Sequence, residues 1–116
     1  AEQVYKGLFN FLNKNYNLCS LNFLKDYRRD LAYDLGRIAA DFELNEKWGL
    51  CALSYFTETY GQTDTVPISW VYFQSARLAK RLKNMEKMNF FISKTELHLN
   101  QSSDEKLRNL LKSLEL

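Results

Sequence analysis

Residues 67–100, PISWVYFQSARLAKRLKNMEKMNFFISKTELHLN, decide the fold. Pro67 suits the first turn of a helix, because the N–H that proline lacks would have no partner there. Apolar residues then recur at three- and four-residue steps, first to about Asn84 and again from Met85 to about His98. This spacing predicts two helices that pair as an antiparallel hairpin.

The same helical spacing continues on both sides of this hairpin. Upstream, the pattern predicts a first helix from Val4 that the Asn-rich NKNYN ends, a long helix from a Ser20 cap to Phe42, and a helix that Asn45 caps and Gly61 stops. Downstream, Ser102 and Glu105 match a capping box. The helix that follows carries a stripe formed by Leu107, Leu110, Leu111 and Leu114.

Together these segments predict an all-α fold of about six helices in antiparallel hairpins, either repeat-like or packed as a bundle. The 116 residues, 46% of them hydrophobic, suit a single domain over residues 1–116. Because the chain begins with Ala1 rather than Met, the possibility that it is a fragment of a longer protein stays open. The formal net charge of +2 lacks the large basic excess of a dedicated nucleic-acid binder.

The cysteines and the hydropathy pattern bear on the compartment. Cys19 and Cys51 are too few for a disulfide framework, and we interpret them as free thiols in a reducing compartment. No apolar stretch is long enough for a membrane span, so we expect no membrane partner. These features predict an intracellular location, in the cytoplasm or the nucleus.

The sequence contains few residues suited to catalysis or metal binding. Asp26, Asp30 and Asp34 lie at four-residue steps on one helix face, but no Glu-x-x-His motif accompanies them, and ion pairs with nearby cations explain them better. His98 is the single histidine, which excludes a Cys/His zinc site. We therefore expect no enzymatic activity, no cofactor and no metal.

Small and large residues alternate in a recognisable order within the deciding stretch. Tyr72, Ala76 and Ala79 precede the segment KNMEKMNFFISKT at residues 83–95, and a weaker copy runs from Ala32 through LG at residues 35–36 to WGLCALSYF at residues 48–56. This order resembles the tetratricopeptide repeat, although Met88 replaces a small alanine and Asn100 replaces a closing proline. The resemblance implies stacked hairpins and a protein-binding role.

In such a stack the first helix of each hairpin lines a concave groove. Helical spacing places on that face the candidate partner-binding residues Tyr33, Arg37, Trp70, Phe73, Arg77, Lys80 and Arg81. Aromatic and cationic side chains of this kind suit a protein or peptide partner with acidic and apolar residues. The alternative, that Trp70 and Phe73 are core residues and Lys80 and Arg81 are solvated, stays open, and the exposure of Trp70 separates the two.

Three alternatives stay open beside this groove. The first is a regulatory or assembly subunit, a helical bundle that docks through the C-terminal leucine stripe. The second is nucleic-acid binding through the basic helix that carries Arg77, Lys80, Arg81, Lys83 and Lys87. The third is a cyclin-like fold, which the chain resembles where Arg29-Asp30-Leu31 leads into WGLCALSYFTETY at residues 48–60 and then ARLAK at residues 76–80.

Overall fold

The protein is all-α. A computed structural model describes residues 2–17, 29–61, 66–100 and 104–115, and it gives no side-chain description for residues 29 and 30. The helices in these ranges are α1 (Glu2–Asn15), α2 (Arg29–Asp41), α3 (Glu46–Thr59), α4 (Ile68–Arg81), α5 (Met85–Leu99) and α6 (Glu105–Glu115). These ranges contain no strand, which confirms the predicted fold class. None of these helices combines the length and the apolar character needed to cross a membrane.

The helix starts follow local capping chemistry, with two corrections to the sequence prediction. Asn45 caps α3 as expected, because its side chain accepts the backbone N–H of Trp48 at 3.1 Å. Pro67 lies just before α4, in an extended conformation, rather than in its first turn. The capping residue of α6 is Asp104, whose Oδ1 accepts the N–H of Leu107 at 3.0 Å, whereas the predicted cap Ser102 lies outside the described residues.

The two hairpins close through two turns of the same conformation. Glu43 follows α2 with a φ of 53°, and Lys83 follows α4 with a φ of 58°. In each turn the next N–H reaches back to the last turn of the helix, from Leu44 to the Ala39 carbonyl at 3.1 Å and from Asn84 to the Ala79 carbonyl at 3.0 Å. The left-handed residue turns the chain at once, so α2 with α3 and α4 with α5 form the predicted antiparallel pairs.

Glycines allow α2 and α3 to approach closely. A Cβ atom at Gly49 would lie 2.5 Å from Cβ of Ala39 and 3.0 Å from Cδ1 of Leu78. A Cβ atom at Gly36 would collide with the buried side chain of Leu53. Small residues at these positions therefore set the separation of the first hairpin and leave room for α4 against it.

Two apolar cores hold the hairpins together. The first joins α1, α2 and α3 with Val71 and Leu78 of α4, and it includes the fully buried Leu12, Trp48 and Phe56. The second joins α4, α5 and α6, and Leu107 and Leu111 are buried in it with Phe73 and Ile92. The expectation of a fully exposed leucine stripe on α6 is therefore wrong for Leu107 and Leu111, because they attach α6 to its own chain.

The cysteine prediction requires a correction. Cys51, on α3, is disulfide-bonded, so it is not the free thiol that we expected. The sequence holds one other cysteine, Cys19, which lies outside the described residues. Sequence spacing could not reveal this bond, because a disulfide depends on the distance between two Cα atoms in the folded chain.

Candidate functional site

A groove of about 580 Å³ runs along one side of the protein, where α2, α4 and α6 lie side by side. Near the start of α4, Trp70 contacts Asp104, which precedes α6, and near the end of α4, Lys80 contacts Leu114. Two contacts at matching ends show that α4 and α6 run in the same direction. The lining side chains are Tyr33, Arg37, Asp41, Trp70, Phe73, Gln74, Arg77, Lys80, Lys106, Leu110, Ser113 and Leu114.

Six of the seven residues that the sequence analysis placed on a groove face line this one groove. They are Tyr33, Arg37, Trp70, Phe73, Arg77 and Lys80. Helical spacing identified them because residues three and four apart share a face, on α2 as well as on α4. The seventh, Arg81, does not line the groove.

Arg81 instead binds the end of α2. Its guanidinium donates to the Ala39 carbonyl at 3.0 Å and to the Ala40 carbonyl, and it lies 3.7 Å from the Glu43 carboxylate. The last carbonyls of a helix lack partners within the helix and carry its negative dipole end, so a cation is favourable there. Arg81 therefore lies outside the groove, and its described contacts are with the end of α2 and with Glu43.

Trp70 and Phe73 contribute differently to the groove. Phe73 is 4% exposed and belongs to the second core, as the core interpretation predicted. Trp70 is half-buried, meets the Phe73 ring edge-on with centroids 5.9 Å apart, and donates its indole N–H to Oδ2 of Asp104 at 2.7 Å. Trp70 is thus fixed in place while part of its ring faces the groove, which is the arrangement of a preorganised contact residue.

The two arginines of the groove share an acidic partner. Arg77 donates to Oδ1 of Asp41 at 2.7 Å and to Gln74 at 2.8 Å, and it also reaches the Ala40 carbonyl at 3.4 Å. Arg37 lies 3.6 Å from both Asp34 and Asp41. Carboxylates of α2 therefore hold both guanidinium groups and neutralise part of their positive charge before any partner binds.

Tyr33 lies at the α2 wall of the groove. Burial raises the pKa of its phenol, and a hydrogen bond with Gln74 together with the charge of Arg37 offsets part of that increase. The hydroxyl therefore stays protonated at neutral pH, where it serves as a neutral donor or acceptor and not as a base.

Sequence reasoning missed the third wall of the groove. Lys106, Leu110, Ser113 and Leu114 come from α6, which the analysis had treated only as a leucine stripe. The available signal was the order of helices along the chain: α2 and α4 each open a hairpin, and α6 follows α5 in the position of the first helix of a third hairpin.

Two further cavities lie away from the groove. A cavity of about 480 Å³ lies between α1 and the turn from α2 to α3, and one of about 430 Å³ lies between the ends of α5 and α6. In the part of the chain that the structure describes, no group of three or more His, Cys, Asp or Glu side chains could hold a metal ion. Asp34 pairs with Arg37, and the side chains of Asp26 and Asp30 lie outside the described residues.

No protein-family model matches the chain, and neither a curated protein nor a solved structure matches it. The function of this chain must therefore be inferred from its own residues and geometry.

Proposed function

We propose that this chain is a non-enzymatic protein-interaction module that binds an extended polypeptide segment in the groove between α2, α4 and α6. The observation that carries the proposal is the convergence of side chains from three helices on one open groove. Trp70 is half-buried and Leu110 is exposed there, so both offer apolar surface, and Lys80 offers a cation beside them. Aromatic and cationic groups of this kind supply most of the binding energy at protein interfaces.

The helix arrangement supports a tetratricopeptide-like stack. The first helices of the two hairpins, α2 and α4, line the groove together with α6, whereas α3 and α5 pack behind them. Ala76 and Ala79 are fully buried where the resemblance requires small residues. Each helix pair is thus a unit that presents its first helix to one common concave surface.

The contacts of the basic helix disfavour the nucleic-acid alternative. Arg77 and Arg81 bind Asp41 and the carbonyls at the end of α2, so neither guanidinium stands free as a phosphate donor. Lys83 and Lys87 lie on the turn after α4 and on α5.

The expected intracellular location loses its support from the cysteines. Our expectation depended on free thiols, and Cys51 is disulfide-bonded. Disulfides form and persist mainly in oxidising environments, such as the cell exterior, the endoplasmic reticulum or the bacterial periplasm. We therefore propose that the module works in such an environment, and that its partner segment is exposed there.

Selection from a random-peptide display library tests the binding function. The groove variant is Leu110→Gln, and its matched control is Leu97→Gln, since Leu97 is an exposed leucine on α5 outside the groove. We expect enriched peptides to bind Leu110→Gln at least about fivefold more weakly, because an apolar contact is lost, and to bind Leu97→Gln as they bind the unchanged protein. Peptides that lose affinity only for Leu97→Gln would place the site on the outer side of α5 and refute the proposal.

A further inference from the structure

Among the described residues, two of the four cations in the groove have no carboxylate partner. Arg37 and Arg77 pair with Asp41, the single acidic side chain that the described residues contribute to the groove lining. Within the same residues Lys80 donates to the Leu114 carbonyl, at 2.8 Å, and two of its three N–H donors have no partner there. Lys106 has no ion-pair or hydrogen-bond partner among residues 2–17, 29–61, 66–100 and 104–115. The groove therefore carries a positive charge that the described side chains do not neutralise.

The two lysines are separated along the groove by a distance that follows from the parallel helices. Asp104 lies level with Trp70, so Lys106 lies level with about Tyr72, eight residues before Lys80. At 1.5 Å per helical residue, this separation is about 12 Å. An extended peptide advances about 3.3 Å per residue, so about four residues span it.

Apolar surface lies beside and between these cations. Leu110, which is 38% exposed, lies midway between them, whereas the half-buried Trp70 lies just beyond Lys106 and the partly buried Leu114 lies level with Lys80. An aliphatic side chain suits this surface better than a sugar does, which favours a peptide over a nucleic-acid strand. Charge complementarity and apolar surface together describe the occupant.

We propose, on the basis of the binding function above, that the occupant is an extended acidic peptide segment that places two carboxylates, about four residues apart, on Lys106 and Lys80. An apolar side chain midway between the carboxylates packs on Leu110, with Trp70 and Leu114 at the two ends of the site. Arg37 and Arg77 keep Asp41 neutralised, so that it does not repel the incoming acid.

The test uses a fluorescein-labelled peptide, Gly-Glu-Ala-Leu-Ala-Glu-Gly, amidated at its C-terminus, and fluorescence polarisation. Two controls have the same length: one replaces both Glu residues by Gln, and one places them side by side as Gly-Glu-Glu-Ala-Leu-Ala-Gly. We expect the first peptide to bind at least about tenfold more tightly than either control, and its binding to weaken between about 50 and 300 mM salt.

Variants of the protein locate the contact. Lys80→Gln and Lys106→Gln should each weaken the first peptide about fivefold, whereas Lys87→Gln, which removes an exposed lysine on α5, should not. Circular dichroism of each variant checks that the fold is retained. Equal binding of the Glu and Gln peptides, or unchanged binding by both groove variants, overturns the inference.

The library selection separates failure of this inference from failure of the binding function. If selected peptides depend on Leu110 but carry no paired acids, the groove binds peptides of another chemistry and only the inference is wrong. If selected peptides do not depend on Leu110, the proposed function is wrong as well.

Discussion

The indole N–H of Trp70 and the carboxylate of Asp104 connect the groove to the start of α6 through a 2.7 Å hydrogen bond. The other oxygen of the same carboxylate caps α6 by accepting the N–H of Leu107 at 3.0 Å. One side chain thus fixes a contact residue of the groove and the helix that forms its third wall.

Changing Asp104 should destabilise the fold to an extent that depends on which of its hydrogen bonds remain. We expect Asp104→Ala to lower the free energy of unfolding by about 2 kcal/mol, since it removes both a cap and a side-chain hydrogen bond. Asp104→Asn keeps one acceptor oxygen for the cap and should cost about 1 kcal/mol. Urea unfolding measures both values, and a double-mutant cycle with Trp70→Phe isolates the indole bond. A coupling energy of zero in that cycle would contradict the connection.

Arg81 should be important for stability and unimportant for binding. Arg81→Ala removes the hydrogen bonds to the Ala39 and Ala40 carbonyls, and we expect it to lower the free energy of unfolding by about 1.5–3 kcal/mol. Lys83→Ala, at an exposed position in the next turn, is the control and should change it by less than about 0.5 kcal/mol. Thermal unfolding compares them. Unchanged stability of Arg81→Ala would return Arg81 to the list of candidate binding residues.

Much of the fold could be predicted because it depends on neighbouring residues. The remaining features depend on contacts between residues that are distant in sequence, and these could not be predicted. Helical spacing and the Asn45 cap act within a few residues, so the sequence carries them directly. The hydrogen bond between Trp70 and Asp104 could not be read from the sequence, because it joins residues that are 34 positions apart in the chain. Arg81 lies four residues from Arg77 on the same helix, and only the position of α2 shows that it binds carbonyl groups.

Two glycine substitutions should have opposite effects. Gly49→Ala would place a Cβ atom 2.5 Å from Cβ of Ala39 and force α2 and α3 apart, so we expect a loss of about 1–3 kcal/mol. Gly7→Ala, in α1, meets no atom within 4 Å and should stabilise the protein by about 1 kcal/mol through helix propensity. Chemical denaturation measures both, and a stabilising Gly49→Ala would be inconsistent with the close approach of these helices.

Cys51 should be protected from thiol reagents until the protein is reduced. We expect no maleimide adduct on the Cys51 peptide when the denatured protein is alkylated without reductant, and a full adduct after reduction. Reduction should also lower the free energy of unfolding by about 2–4 kcal/mol. Peptide mass spectrometry reads the adduct, and labelling of Cys51 without reductant would restore the prediction of a free thiol and of a reducing compartment.

The ends of α5 and α6 should make stability depend on pH. Burial, and then the hydrogen bond and the repulsion from Glu115, raise the pKa of Glu96. A raised pKa means that the folded state favours the protonated acid, so this contribution is present at low pH and is lost as the pH rises through the raised pKa. At neutral pH the two carboxylates repel each other at the edge of the cavity that Arg108 and Lys112 also line.

Glu115→Gln removes this repulsion and can donate a hydrogen bond to Glu96. We therefore expect it to stabilise the protein at pH 7 by less than about 1 kcal/mol, the usual range for exposed charges, and this gain to shrink as the pH falls through the raised pKa of Glu96. Glu58→Gln, an exposed carboxylate on α3, should show no such pH-dependent gain. Melting temperatures at several pH values decide, because a Glu115→Gln benefit that is constant with pH would contradict the repulsion between Glu96 and Glu115.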